Sequence, residues 1–160
     1  MTRKAVAAAG AVLALAAFAA PAAAEVAPAD IAWDGGAIAE SLTGATGDAE
    51  AGKKIMTTNA LGNCVACHAI ATMPDVPFQG TIAPELQGAA SRYSEAQLRG
   101  IVVDAKRTFE GSFMPGMYKV GPFIRPGDAY TGKAAPDPLP PILNAQQVED
   151  VVAYLMTLKD

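Results

Sequence analysis

The chain has 160 residues, 51% of them hydrophobic and 18% charged, with a formal net charge of −4, two cysteines and a single histidine. That balance is enough to build a packed core and excludes a disordered polyelectrolyte. The acidic excess, with no Lys/Arg cluster to neutralise a run of phosphates, excludes nucleic acid as an expected partner, and two cysteines three positions apart exclude a disulfide framework.

Residues 1–24 have the three-part pattern of a cleaved export signal: Arg3 and Lys4, then an uncharged small and apolar run from Ala5 to Ala20, then Pro21 and the small residues Ala22, Ala23 and Ala24. An alanine-dominated run of this length is marginal for spanning a bilayer, so a cleaved leader, a periplasmic destination and no membrane anchor are expected. Setting aside Arg3 and Lys4 leaves ten basic residues against sixteen acidic ones, and the 136 residues that follow the leader fit one domain.

The next segment, 25–47, is rich in Gly and Ala and carries the only tryptophan, Trp33, which reads as an extension draped over the body or over a partner. Asp48 then caps a helix through Ala51, Gly52, Ile55 and Met56, with acid in its first turn and an end near Asn59, before Gly62.

Cys64-Val65-Ala66-Cys67-His68 follows. Two thiols at this spacing reach two vinyl groups on one porphyrin edge, and the next residue puts an imidazole under the iron, so the run reads as a c-type haem attachment. A dithiol redox site would want a preceding strand, and zinc would want a fourth ligand. Because His68 is the only histidine, bis-histidine ligation within the chain is excluded. Methionine is the usual alternative in electron-transfer cytochromes, since a neutral thioether favours ferrous iron; Lys or an open position are the others. Three methionines lie outside helices and leader: Met114 is the first choice, before Pro115 and after a long helix, with Met117 and Met73 behind it. Within Ile82-Ala83-Pro84-Glu85-Leu86, Pro84 has a fixed φ, so its carbonyl is a candidate to receive the second ring N–H of His68, with Leu86 a haem contact.

Ser94 with Gln97 forms a capping box, and Leu98, Ile101, Val102 and Ala105 continue at helical spacing. Arg92, Arg99 and Lys106 read as solvated charges. The segment 115–141 contains Pro115, Pro122, Pro126, Gly127, Pro136, Pro138, Pro140 and Pro141, and is longer than an ordinary helix connection, so it needs a body such as a flat cofactor to pack against. Asn144 with Gln147 caps the last helix, whose Val148, Val151, Val152 and Leu155 share one face and which is expected to run to the C-terminus. No run alternates with period two, so the fold class is all-α: three main helices around a covalent haem, with long loops.

With these residues in place, the chain resembles class I cytochromes c, through Gly52, Cys64 to His68, Ala83-Pro84-Glu85-Leu86, Met114-Pro115 and Val152-Ala153-Tyr154-Leu155. The resemblance implies a cytochrome c domain over 48–160, with the first and last helices crossing and Gly52 packed on Tyr154. Ala83 departs from the glycine usual before the proline. More narrowly, the chain is similar to the SoxX family, the monohaem subunits of the SoxAX cytochromes of bacterial thiosulfate oxidation. The matching runs are Gly62-Asn63 with the haem motif, Ser91-Arg92-Tyr93, Ala96-Gln97-Leu98-Arg99, Met114 to Tyr118, and Ile142-Leu143 leading to Gln146 through Leu155.

That likeness implies a heterodimer with a SoxA-like subunit that holds its own haem with an unusual cysteine-based ligand and carries the sulfur chemistry. The complex would act as an L-cysteine S-thiosulfotransferase on a SoxYZ-like carrier protein, with this chain passing electrons to a downstream cytochrome. A free electron-carrier cytochrome is the alternative, and a haem with an open distal position, as in a peroxidase, is a third class. A permanent subunit buries a larger surface than a carrier does, and the 25–47 extension and the Pro-rich segment favour it. No triad, paired carboxylates or phosphate-binding loop is evident.

Overall fold

The computed structural model describes residues 24–124, 126 and 132–160. The expected export signal, but for its last residue, lies outside the described residues, as does part of the Pro-rich segment.

Four α-helices are present among the described residues: α1 (Ala49–Thr57), α2 (Ala89–Arg92), α3 (Glu95–Asp104) and α4 (Ala145–Leu155). A 3-10 turn at Cys64–Ala66 follows α1 and another at Ala105–Arg107 extends α3. The three expected helices all form where their caps place them. Asp48 accepts from the N–H groups of Glu50 and Ala51 at 2.9 and 3.3 Å, and the reciprocal boxes of Ser94 with Gln97 and of Asn144 with Gln147 are both closed. These side chains satisfy amide groups that the first helical turn leaves without partners, which is why such short helices start where they do. The α4 helix stops at Leu155 rather than running to the C-terminus, and turns carry Leu158 back into the core. The four-residue α2 had no periodicity to announce it.

The core lies between α1, α3 and α4. Ile55 and Met56 of α1, Leu98, Val102 and Val103 of α3, and Val148, Val151, Val152 and Leu155 of α4 are all buried. The Ile101 position expected on the buried stripe of α3 is only half-buried, and Val103 takes the deeper place.

The α1 and α4 helices cross at Gly52. A Cβ added there would run into the carbonyl oxygen of Asp150 and lie 2.5 Å from its carbonyl carbon. The close partner of the glycine is therefore the α4 backbone, whereas the Tyr154 ring sits one turn further on, buried, with its hydroxyl 3.1 Å from Thr72 Oγ1. Gly52→Ala is expected to lose about 2 kcal/mol of stability, because overpacking outweighs the helix propensity that alanine gains. The check is a denaturant midpoint on the haem-loaded protein, and an unshifted midpoint would mean the crossing has slack.

The extension belongs to the core. Ile31, Ile38 and Leu42 are buried, and the chain reverses at Gly35-Gly36, where both residues have positive φ. Gly36 lies against α3 so closely that a side chain on Gly100 would collide with its carbonyl. Trp33 stacks under the Arg107 guanidinium, 4.4 Å from the ring centroid.

Arg99 is not the solvated charge its neighbourhood on α3 suggests. It is 3% exposed, and its Nε donates to both carboxylate oxygens of Glu149, at 2.9 and 3.1 Å. Nη1 donates to the Ile38 carbonyl and Nη2 to Glu95. Burial alone would lower the Arg99 pKa, but the Glu149 carboxylate and then Glu95 outweigh it and hold the group above its ordinary range. Glu149 in turn accepts from the Leu42 N–H at 2.7 Å. One buried ion pair thus ties α3, α4 and the extension together.

Candidate functional site

The site begins where α1 ends. Asn63 takes the left-handed conformation, φ 45°, and turns the chain into the 3-10 turn Cys64–Ala66. Asparagine tolerates that conformation better than most residues with a side chain. Val65 points inward and is buried, Ala66 is exposed, and the two cysteines between which they lie are both free thiols and half-buried. The N–H groups of Cys67 and His68 both donate to the Cys64 carbonyl, at 3.1 and 3.0 Å, so the motif is wound on a single carbonyl. Burial pushes the Cys64 thiol up to about 11, against a smaller lowering by its backbone hydrogen bond and with a further rise from Cys67.

The segment expected beneath His68 is there. Ala83 N–H donates to the Cys67 carbonyl at 3.1 Å and Leu86 N–H to the Ala69 carbonyl at 3.0 Å. Between these two rungs the Pro84 carbonyl lies 2.6 Å from His68 Nδ1. A carbonyl oxygen only accepts, so Nδ1 carries the proton and the lone pair is left on Nε2, the nitrogen free for a metal. Ala83 serves as well as glycine here because its φ is not positive. Leu86 is half-buried and packs on the core.

Beyond the motif, Gln79 braces the returning loop: its side chain accepts from the Ile70 N–H at 2.5 Å and donates to the Met73 and Val76 carbonyls. Gly80 N–H then donates to the Val65 carbonyl, and a Cβ on Gly80 would strike the Ala66 carbonyl. Nothing in the sequence marks Gln79, since a lone glutamine in a loop has no pattern.

The three methionines differ in placement. Met73 and Met117 are 2% and 5% exposed and belong to the apolar core. Met117 is also pinned by its backbone, to Val102 on one side and Leu143 on the other. Met114 is only half-buried, between exposed Phe113 and exposed Pro115. Lys106, exposed as expected, donates to the Met114 carbonyl at 2.7 Å, a partner the sequence did not indicate.

These residues fit a covalent haem. Two thiols on one short turn suit thioether attachment, an imidazole whose Nδ1 is engaged by Pro84 leaves Nε2 for iron, and a half-buried methionine at the edge of the core is available as a soft second ligand. Apolar surface on the same segments, at Ile82, Phe109 and Phe113, suits a flat macrocycle.

The cytochrome c family model matches residues 49–159. No curated protein matches. Among solved structures, a chain in the crystal structure of SoxXA from P. pantotrophus is 64% identical, with a TM-score of 0.82, over 86% of this chain and 100% of that chain. That share exceeds what residues 49–160 alone provide, so the likeness takes in part of the segment before α1. Covering the whole of that solved chain at this identity, the polypeptide belongs to the cytochrome c family, as a SoxX-type member of class I fold that carries covalently bound haem c.

Proposed function

We propose that this chain is the periplasmic electron-transfer subunit of a SoxAX-type complex, paired with a SoxA-like haem subunit. The partner performs the oxidative coupling of thiosulfate to a cysteine of a SoxYZ-like carrier, and this chain passes the electrons to a downstream cytochrome. The observation that carries the reading is the 64% identity to a SoxXA chain along that chain's full length. An extension sewn into the fold by Leu42, Ile38 and the Arg99–Glu149 pair is consistent with it.

Haem c supplies a one-electron ferric/ferrous couple. In this reading Cys64 and Cys67 hold it by thioethers and His68 is the proximal ligand, its tautomer fixed by Pro84. Leu86 packs beside it, and Met114 gives the distal sulfur. Met73 and Met117 are committed to the protein core, whereas Met114 is only half-buried at the core's edge.

Two tests follow. The haem-loaded mature chain, tagged and incubated with periplasmic extract of its own organism, should retain a haem protein with cysteine-based iron ligation; recovery of the chain alone would favour a free carrier. Met114→Ala should abolish the near-infrared thioether-to-iron absorption of the ferric protein, while Met117→Ala retains it, and the opposite pattern would move the ligand to Met117.

A further inference from the structure

We propose that Lys106 is a positioning residue for the distal ligand, holding the main chain of Met114 so that its sulfur stays in place. This rests on Met114 being that ligand. Lys106 lies in the 3-10 turn Ala105–Arg107 that continues α3, so its backbone is anchored to a helix buried in the core. The chain then loops out, with Phe109 N–H donating to the Ala105 carbonyl at 2.8 Å and Ser112 N–H to the Phe109 carbonyl at 3.1 Å. Met114 is met from both sides: its N–H donates to Ser112 Oγ at 3.3 Å, and its carbonyl accepts from Lys106 Nζ at 2.7 Å.

The second of these is the stronger. It is short and charge-assisted, whereas the first is long and neutral. Pro115 follows and has no N–H to contribute. Beyond it the chain is fastened again to the same end of α3, by Met117 N–H on the Val102 carbonyl, Tyr118 N–H on the Val103 carbonyl, and Lys119 Nζ on Asp104 Oδ2 at 2.8 Å. The end of α3 is thus a platform along which the methionine loop is laid, and Lys106 is its contact at the methionine itself.

A thioether is a weak neutral ligand, so its hold on iron depends on how fully the loop populates the bound geometry. Removing the Lys106 contact lowers that population, and a competing ligand then binds in proportion. Because Lys106 is exposed, its truncation opens no cavity, and the effect is that of one hydrogen bond.

The test is imidazole titration of the ferric holoprotein, followed in every variant by the shift of the visible haem bands and, where Met114 is present, also by loss of the near-infrared thioether band. Lys106→Met should raise imidazole affinity roughly three- to tenfold, and Lys106→Arg, which keeps a cationic donor, should stay close to the parent. In a Met114→Ala background Lys106→Met should add nothing, as expected when both changes act through one contact. Imidazole is neutral, so a change in reduction potential with unaltered imidazole affinity would mean that Lys106 acts only through its charge, and would overturn the proposal. So would equal effects of Lys106→Met with and without Met114. Persistence of the thioether band in Met114→Ala would instead defeat the ligand assignment beneath it.

Discussion

Arg99→Ala is expected to remove about 3–5 kcal/mol from the unfolding free energy, the range for stripping one partner from a buried ion pair. An exposed pair would contribute at most about 1 kcal/mol, so burial decides the size. Arg99 and Glu149 are 3% and 4% exposed, and alanine would leave the Glu149 carboxylate with the Leu42 N–H as its remaining donor. It would also strand the Ile38 carbonyl that Nη1 satisfies. Buried pairs elsewhere are often replaceable by apolar residues at little cost. Here Arg99→Met with Glu149→Leu should recover only part of the loss, because the Leu42 N–H and Ile38 carbonyl would stay without partners, at about 1–3 kcal/mol each. Denaturant unfolding measures the total, and amide exchange at Ile38 and Leu42 shows where it falls: their protection should drop first as the extension detaches. A loss below about 1 kcal/mol, with protection intact, would show that the pair is solvated in solution.

What could be read in the sequence was local or covalent. Three helix starts were legible because their caps bond within three or four residues, and Cys64, Cys67 and His68 were legible because attachment chemistry dictates their spacing. Pro84 beneath His68 was within reach for a related reason: a ligating imidazole needs an acceptor, and a proline carbonyl on a fixed backbone is a good one. Arg99 was misread because its partner lies fifty positions away on α4, and no local pattern distinguishes a guanidinium that meets a buried carboxylate from one that meets water. The anchors Ile31, Ile38 and Leu42 are interrupted by Gly35-Gly36, so they form no element whose periodicity would disclose their burial. Lys106 was read only as a solvated charge because it serves a backbone carbonyl across an irregular turn, where side-chain identity carries almost no signal. The Gly52 crossing was anticipated, but its partner was taken for an aromatic ring when it is the peptide backbone of Asp150.

The largest change of all is expected from Cys64→Ala combined with Cys67→Ala. Extraction with acidified organic solvent should remove all haem from the double variant and none from the parent, while each single variant keeps one thioether and retains its haem. The consequence for stability is one of kind as well as size. A covalently held group is present at the same effective concentration whatever the solution contains, whereas a group held only by coordination and packing, through His68 and Met114 in the proposed assignment, stabilises by mass action. For the double variant, a tenfold rise in free haem should therefore add about 1.4 kcal/mol once binding is near saturation. The parent's unfolding midpoint should not respond. The half-buried cysteines leave little room for another account of such a difference, since alanine at either position removes one sulfur from a turn whose backbone hydrogen bonds all survive. Haem that resists extraction in the double variant would mean attachment elsewhere in the chain, and a parent midpoint that moves with added haem would mean the thioethers had not formed.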